Sequence, residues 1–222
     1  MHMHLNLRFV AATAALLAAG LSACGNGDDK SETGFFVTSS NPGNGANLGG
    51  LGGADAHCQS LAENARLTGR TSRAYLSTVA SGNAAAVNAR DRIGSGPWRN
   101  ALGVEVASNV EQLHGANNLS KQSAVTETGA VINGRGDTPN THDVLTGTTP
   151  SGRASTSATD TTCSNWTSSG SGSAIVGHHD RIGLDSSAAA MSWNSSHGST
   201  GCSAASLRQT GGSGLFYCFA SD

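Results

Sequence analysis

Short apolar runs separated by polar, glycine-rich stretches are the main pattern of the chain. Residues 34–39 (Gly-Phe-Phe-Val-Thr-Ser) predict an opening strand, and the glycine-rich residues 41–53 predict a turn region after it. Residues 74–78 alternate in the manner of a strand, whereas residues 214–220 form an apolar run rich in aromatic side chains. The pattern therefore predicts two further strands, the second of them buried at the C-terminal end.

One segment has the spacing of a helix. Its core-facing residues recur at i, i+3, i+4 and i+7: Cys58, Leu61, Ala62 and Ala65. Asp55 would lie in the first turn, where a carboxylate favours the helix dipole, and Gly69 would stop the helix. A short helix is predicted at residues 109–114 from its Asn cap, and turn formers dominate residues 134–174. These elements indicate an α+β fold with one main helix and long loops.

Residues 1–23 have the features of a bacterial signal peptide. Arg8 supplies the positive charge, and the apolar run at residues 9–20 is too short to span a bilayer comfortably. The run ends in Leu-Ser-Ala-Cys at residues 21–24, which resembles the bacterial lipobox, in which the cysteine receives a diacylglyceryl group before cleavage. We therefore expect Cys24 to be the lipidated first residue of an exported protein that is anchored to the membrane.

The residues after the expected cleavage site divide into a tether and one domain. Residues 24–33 are the lipidated cysteine and a flexible tether, and residues 34–222 have the length of one ordinary domain. Gly25 follows the cysteine where lipoproteins retained at the inner membrane usually carry aspartate. The sequence thus favours the outer membrane as the location.

Composition excludes some partners. The chain has 13 Lys and Arg against 15 Asp and Glu, and it has no basic tract of the kind that binds nucleic acid. Charged residues are only 13% of the chain, as is typical of a loop-rich extracellular domain. Bulky side chains, including Trp98, Trp166 and Trp193, supply enough core material to argue against disorder.

Four cysteines remain after Cys24, and an even number outside the cytoplasm implies two disulfides. They are Cys58, Cys163, Cys202 and Cys218. Three pairings are open on sequence grounds alone. A zinc site made of cysteines is disfavoured because the chain contains no Cys-x2-Cys pair.

The motifs at residues 53–59 and 73–77, together with those at 150–153, 163–167 and 217–218, resemble endostatin, the C-terminal domain of certain collagens. At the first end, residues 53–59 read Gly-Ala-Asp-Ala-His-Cys-Gln and residues 73–77 read Arg-Ala-Tyr-Leu-Ser. At the other end, Pro-Ser-Gly-Arg at 150–153 precedes Cys-Ser-Asn-Trp-Thr at 163–167, and Tyr-Cys at 217–218 closes the chain. The resemblance covers roughly residues 35–220 and implies a single C-type-lectin-like domain with a mixed sheet.

The resemblance also implies a disulfide pairing and a class of partner. The pairs would be nested, Cys58 with Cys218 and Cys163 with Cys202. Among bacterial lipoproteins, the chain resembles the leptospiral endostatin-like surface proteins, which bind host matrix and complement-regulatory proteins. The N-terminal zinc ligands and the arginine-rich heparin site of endostatin cannot be carried over, because no histidine occurs between Gly34 and His57 and the chain is slightly acidic.

Histidines and aspartates in the second half are candidates for a divalent metal such as zinc or calcium. The candidate ligands are His142, His178, His179 and Asp180. On a strand, His178 and His179 would face opposite sides, so one could be satisfied in the core while the other is exposed. Asp143 and Asp180 could instead be turn caps.

A second candidate is a ligand-binding loop region. Thr-Pro-Asn at 138–140 and Trp-Asn-Ser at 193–195 resemble the calcium and sugar motifs of C-type lectins, but both lack the acidic ligand. Residues 135–137 form an Arg-Gly-Asp tripeptide, which integrins recognise, in a turn setting. The residues assigned to this region are Arg135, Asp137, Asn140, Trp193, Asn194 and His197. Trp193 could instead belong to the core.

The sequence favours a binding function over catalysis. Gly-x-Ser-x-Gly, His-Glu-x-x-His and P-loop motifs are absent, so we do not expect an enzyme. The leading hypothesis is a lipid-anchored recognition domain that binds an extracellular matrix-type protein or a glycan. The alternatives are a metal-dependent enzyme or metal-binding protein that uses the region of His178 and His179, and a structural envelope protein without a ligand.

Overall fold

The computed structural model describes residues 1–2, 32–67 and 69–222. Nearly all of the predicted signal peptide, the lipobox-like segment with Cys24 and nearly all of the predicted tether therefore lie outside the described residues. Within the described residues, none of the helices has both the length and the apolar character needed to cross a membrane.

The described part of the chain is a mixed α+β structure. Its eight strands are β1 (Phe35–Val37), β2 (Ser72–Ala74), β3 (Trp98–Arg99), β4 (Glu105–Ala107), β5 (Asp143–Leu145), β6 (Ile175–His178), β7 (His197–Gly198) and β8 (Gly212–Ala220). Its four helices are α1 (Gly50–Asn64), α2 (Val110–Leu113), α3 (Cys163–Trp166) and α4 (Ala204–Thr210). A 3-10 turn spans Ala89–Asp91.

Strand β8 organises the main sheet, because it pairs with three other strands. Its C-terminal half lies between β1 and β2, both antiparallel to it, and its N-terminal half pairs in parallel with β5. Strands β6 and β7 continue the sheet beyond β5 with antiparallel pairing. Strands β3 and β4 form a separate antiparallel pair. The mixed sheet is thus anchored on the C-terminal strand that the apolar run predicts.

Two disulfides join the elements, and they are the pairs that the endostatin resemblance implies. Cys58 on α1 is bonded to Cys218 on β8, across 160 residues of sequence. Cys163 on α3 is bonded to Cys202, which precedes α4, across 39 residues. All four cysteines are fully buried, so each bond lies inside the packed domain.

Aromatic side chains fill the core around the C-terminal half of β8. Phe219 is the centre of this cluster, with ring centroids of Phe35, Trp98 and Tyr75 at 4.9, 5.3 and 5.6 Å. These four side chains are fully buried. Burial of such rings contributes on the order of 2–3 kcal/mol each, which makes this cluster the main apolar support of the fold.

Helix α1 begins earlier than the sequence predicts. The prediction placed a turn region through residue 53, but the helix begins at Gly50, so Asp55 is not in the first turn. Gly53 has a packing reason: a Cβ there would lie 2.1 Å from the Leu48 carbonyl oxygen. Asp55 instead accepts a hydrogen bond from the backbone N–H of Ala74 and pairs with Arg92 at 2.6 Å, so its carboxylate joins α1 to β2.

The other element predictions are confirmed for some elements and wrong for others. The short helix at 109–114 is α2, with Asn109 accepting from the backbone N–H of Gln112. Of the strand predicted at 74–78, only Ala74 lies in a strand, β2, and Thr78 forms an isolated bridge with Val87. The region 134–174, predicted to be mainly loop, contains β5, which is the middle strand of the main sheet. Three paired residues are too few to give a recognisable period-2 pattern.

Candidate metal centre

Strands β5, β6 and β7 bring four chemically active side chains to one place. Asp143 on β5 lies directly opposite His178 on β6. His197 on β7 lies opposite Val176, which is two residues from His178 and therefore on the same face of β6. His142 immediately precedes β5. We define the metal cluster as His142, Asp143, His178 and His197.

The carboxylate of Asp143 is the centre of the metal cluster. Its Oδ1 lies 3.2 Å from Nε2 of His142, 3.3 Å from Nε2 of His178 and 3.5 Å from Nε2 of His197. Nε2 of His178 and Nε2 of His197 are 3.1 Å apart. The rings of His142 and His178 stack with centroids 4.1 Å apart. The donor atoms of His142, Asp143 and His178 all lie within 4.8 Å of one another, and His197 adjoins this group through Asp143 and His178.

Close approach in this cluster does not mean satisfied hydrogen bonding. Asp143 and its neighbour His142 are each only 2% exposed. In the described structure, neither carboxylate oxygen of Asp143 has a partner aligned for a hydrogen bond, although three imidazole nitrogens are within reach. A buried, unpaired polar atom costs about 1–3 kcal/mol, and more when it is charged. The imidazoles stabilise the charge of Asp143, but none of them gives its oxygens a well-aligned hydrogen bond in the described structure, so the carboxylate can accept a further partner.

The three histidines direct their other ring nitrogen away from the cluster. Nδ1 of His178 is 2.7 Å from the carbonyl oxygen of Ala190, and Nδ1 of His197 is 3.1 Å from that of Gly198. Nδ1 of His142 is 3.4 Å from Oδ1 of Asp180. An acceptor at Nδ1 favours the tautomer with its proton there, which leaves the Nε2 lone pair free to bind a metal.

The separations fit a small tetrahedral ion. Zinc binds imidazole nitrogen and carboxylate oxygen at about 2.0–2.2 Å, which places neighbouring donors of a tetrahedron about 3.3–3.5 Å apart. Of the six donor–donor separations, the three from Asp143 Oδ1 to the Nε2 atoms and the one between Nε2 of His178 and His197 are 3.1–3.5 Å. Calcium instead takes six to eight oxygen ligands. The donor set of this cluster therefore suits zinc or a similar transition metal, and does not suit calcium.

The electrostatics keep the carboxylates ionised. Burial opposes ionisation of Asp143, but the neighbouring imidazoles of His178 and His197 outweigh it and hold its pKa below the usual range. The contact with Asp143 raises the pKa of His197 above its ordinary value, against the opposing effect of burial. Burial also opposes ionisation of Asp180, yet His142 and two backbone N–H groups lower its pKa strongly. Negative charge is thus fixed at the centre of the cluster and behind it.

Glycine is required where the cluster is closest to the aromatic core. A Cβ on Gly177 of β6, between Val176 and His178, would lie 1.8 Å from the backbone oxygen of Trp193. The chain around Trp193 therefore lies directly on β6, and the backbone N–H of His178 donates to the carbonyl of Ser192 at 2.9 Å. This close approach fixes the position of His178 relative to Asp143.

The predicted metal ligands separate into two groups. His142 and His178 lie in the metal cluster. His179 is fully buried, with Nε2 3.1 Å from the carbonyl oxygen of Asn133, and burial lowers its pKa. Asp180 stands behind His142 and also accepts from the backbone N–H of Arg135 at 2.6 Å. The expectation that one of the paired histidines is exposed is wrong, because both lie under the loops.

The Arg-Gly-Asp turn does not present both of its charges. Asp137 is paired with Lys121 and accepts a hydrogen bond from the backbone N–H of Gly134 at 2.7 Å. The hydrogen bond from Lys121 lowers the pKa of the Asp137 carboxyl. Arg135 is exposed and lines a cavity above the metal cluster. The two charged side chains of the turn therefore have different surroundings.

The residues of the lectin-like motifs support the fold and contribute no metal ligand. Asn140 accepts a hydrogen bond from the backbone N–H of His142 at 3.2 Å. Trp193 is buried with its ring centroid 4.9 Å from that of Tyr75, in agreement with the core interpretation. The amide of Asn194 is also buried and donates to the Tyr75 hydroxyl at 3.1 Å.

The sequence did not identify Asp143 or His197 as metal ligands. Asp143 was left open as a possible turn cap and was not assigned as a ligand, and His197 was assigned to the ligand-binding loop. A usable signal is the His-Asp pair at 142–143 immediately before the apolar Val144 and Leu145, which places an acid at the start of a buried strand. Nothing in the sequence shows that His197 lies beside this pair.

The comparisons with known proteins add no family to these observations. No protein-family model matches this chain, and a search of curated proteins finds no match to it.

Proposed function

We propose that this protein is an envelope-anchored domain that binds a zinc ion at the metal cluster. The observation that carries the proposal is Oδ1 of Asp143: it is buried, has no aligned hydrogen-bond partner in the described structure, and lies within 3.5 Å of three imidazole nitrogens. A zinc ion would satisfy the carboxylate and the three Nε2 lone pairs together. His142, Asp143 and His178 are the inner ligands, and the half-exposed His197 supplies a fourth.

The surroundings of the histidines also fit a zinc site. Histidine ligands are usually oriented by a hydrogen bond from the other ring nitrogen to a carboxylate or a carbonyl. Here the backbone carbonyls of Ala190 and Gly198 lie within hydrogen-bond distance of Nδ1 of His178 and His197, whereas the Asp180 carboxylate lies 3.4 Å from Nδ1 of His142 without an aligned hydrogen bond. His178 and His197 are thus oriented before the ion binds, which favours tight binding.

The wider setting of the proposal is an endostatin-like, C-type-lectin-like domain attached to the outer membrane through Cys24. The fold assignment is supported by the α+β structure with its mixed sheet and by the nested disulfides. The anchor is supported by the signal-peptide pattern and the lipobox. Binding of a matrix protein or a glycan stays a prediction from the resemblance, whereas zinc binding is the function that the side-chain geometry supports best.

Metal analysis of the full chain, purified without a histidine tag, tests the proposal. We expect about one zinc per chain and a rise in the thermal midpoint when zinc is added. At a free zinc concentration 100 times the Kd, the stabilisation is about 2.7 kcal/mol. Protein that holds no zinc and shows no thermal shift at micromolar free zinc contradicts the proposal.

Variants assign the binding to the metal cluster. Asp143→Asn and His178→Ala each remove a direct ligand, so we expect zinc affinity to fall by more than the ~10–100-fold that changes behind the ligands cause. His57→Ala is the matched control, because His57 lies on α1 and contacts Ser40 instead of the cluster. Equal zinc affinity in Asp143→Asn and His57→Ala contradicts the assignment.

A further inference from the structure

A cavity of about 530 Å³ opens directly above the metal cluster. Its lining includes His142, His178 and His197, whereas Asp143 lies beneath them. The volume is within the ~300–1,000 Å³ range of small-molecule sites. A zinc ion held by the cluster would therefore face a space that a small molecule can enter through the side of His197, which is 37% exposed.

We propose that this cavity binds a carboxylate ligand with an apolar substituent, whose carboxylate joins the four protein ligands as a fifth ligand of the bound metal and also contacts Arg135. The inference rests on the proposed zinc site. It names a class of ligand that neither the lectin-like motifs nor the Arg-Gly-Asp turn indicates.

Arg135 supplies the charge that selects an anion. Its guanidinium forms no ion pair or hydrogen bond with any other residue that the structure describes, although it lines the cavity. Its backbone is fixed, because the N–H donates to Oδ2 of Asp180 at 2.6 Å. The same Asp180 stands behind His142, so one carboxylate positions both the arginine and a metal ligand. A planar guanidinium suits a carboxylate, with which it forms two parallel hydrogen bonds.

A single negative charge on the ligand suits the cavity better than several. Asp185 also lines the cavity, and its carboxylate accepts a hydrogen bond from the backbone N–H of Ser187 at 2.8 Å. It would repel a ligand that carries a second anionic group on that side. A monocarboxylate, bound at the metal and at Arg135, avoids this repulsion.

The other wall of the cavity is apolar. Leu184 lines it and is 87% exposed, and Ala190 lines it as well. Ile182 and Met191 are also exposed large apolar residues of the same segment. An exposed leucine at the edge of a cavity gains by contact with an apolar group of a ligand. A free organic acid and the C-terminal residue of a peptide share this chemistry.

Cobalt(II) in place of zinc provides the test, because its visible absorption changes when a ligand enters the coordination sphere. Cobalt-loaded full chain is titrated with hexanoate, as a free acid, and with N-acetyl-leucine, as a mimic of a peptide C-terminus. We expect a saturable spectral change with at least one of them and none with the neutral hexanamide. The acid that binds more tightly identifies the source of the carboxylate.

Substitutions then test the roles of Arg135 and of the apolar wall in acid binding. Arg135→Gln should weaken acid binding by about 10–100-fold, the loss of a charged hydrogen-bonded partner, while cobalt affinity stays unchanged. Arg153→Gln, an exposed arginine outside the cavity, is the matched control. Leu184→Ser should remove the preference for hexanoate over acetate.

The two proposals fail in different ways. If cobalt and zinc do not bind, the zinc function itself is wrong, and this is read from the metal titration before any acid is added. If cobalt binds but neither acid changes its spectrum at millimolar concentration, the carboxylate inference alone is overturned. The same holds if Arg135→Gln binds the acids as well as Arg153→Gln does.

Discussion

The two ends of the main sheet handle buried polar groups in opposite ways. At the aromatic end, around β1, β2 and the C-terminal half of β8, the polar tips of the large side chains have partners. Nε1 of Trp98 donates to the carbonyl of Ala220 at 3.1 Å, and the hydroxyl of Tyr217 donates to the carbonyl of Trp193 at 2.9 Å. This end is complete with the chain's own atoms.

The metal end, around β5, β6 and β7, is not complete in the same sense. The described residues contain five buried side-chain polar atoms without a hydrogen-bond partner, and four of them belong to His142, Asp143 and His179. Native structures rarely leave such atoms unpaired unless water, an ion or a ligand completes them. We interpret the aromatic end as the main support of the fold and, on the zinc proposal, the metal end as the part of the sheet that binds the ion.

Removal of the long disulfide tests whether the aromatic end holds the fold together. It has the largest expected effect on stability. Cys58→Ala with Cys218→Ala opens a loop of 160 residues. In the chain-entropy model such a loop contributes about 5 kcal/mol to the free energy of unfolding, which urea denaturation measures. Zinc affinity of the folded fraction should stay within a few-fold of the parent value.

Removal of the short disulfide should have a smaller effect on stability than removal of the long one. Its loop of 39 residues contributes about 4 kcal/mol in the same model, so Cys163→Ala with Cys202→Ala should lose less stability. A large loss of zinc affinity in either folded double variant would show that the two ends are not separable.

Substitution of Asp180 tests the role of the metal end. Its expected effect, on zinc affinity, is intermediate in size. Asp180→Asn replaces the carboxylate behind His142, so we expect zinc affinity to fall by about 10–100-fold, as is usual for such supporting groups. Isothermal titration with zinc measures the change. Asp91→Asn, in the 3-10 turn away from the cluster, is the control. Equal zinc affinity in the two variants would mean that Asp180 does not position His142.

The aromatic end was largely predictable from the sequence, for a physical reason. The apolar run at 214–220 and the helix spacing around Cys58 are local patterns, and local patterns report burial directly. The nested disulfides followed from the endostatin resemblance, since four cysteines alone allow three pairings. The start of α1 was missed because glycines at 50–53 are weak helix formers that only packing can justify.

The metal end was predictable only in part. His142 and His178 were candidates because histidines beside aspartates are a suitable donor set, but the choice between Asp143 and Asp180 depends on which of them shares a strand register with His178. His197 comes from β7, a strand of two residues with no sequence pattern. Strand pairing in the sheet brings these residues together although they are distant in sequence. The chemical type of each residue alone does not reveal which of them will be neighbours.

The smallest predicted effect concerns pH and the edge of the aromatic end. His114 contacts the Tyr75 hydroxyl through Nε2 at 2.7 Å, and burial lowers its pKa below the ordinary histidine value of about 6.5. The folded state therefore prefers neutral His114, and the unfolded state binds its proton first as the pH falls. The contribution of His114 to stability is fully present above pH ~6.5 and is lost progressively below it.

Thermal unfolding of the parent and His114→Gln, in the presence of a chelator and at several pH values, measures this contribution. Gln can keep a hydrogen bond to Tyr75 but does not titrate, so the stability difference between the two proteins should shrink or reverse as the pH falls below 6.5. The other histidines titrate in both proteins and cancel in this difference. A difference that does not change with pH would mean that His114 remains neutral in the unfolded chain as well or titrates identically in both states, and the aromatic end would then be insensitive to protons at this position.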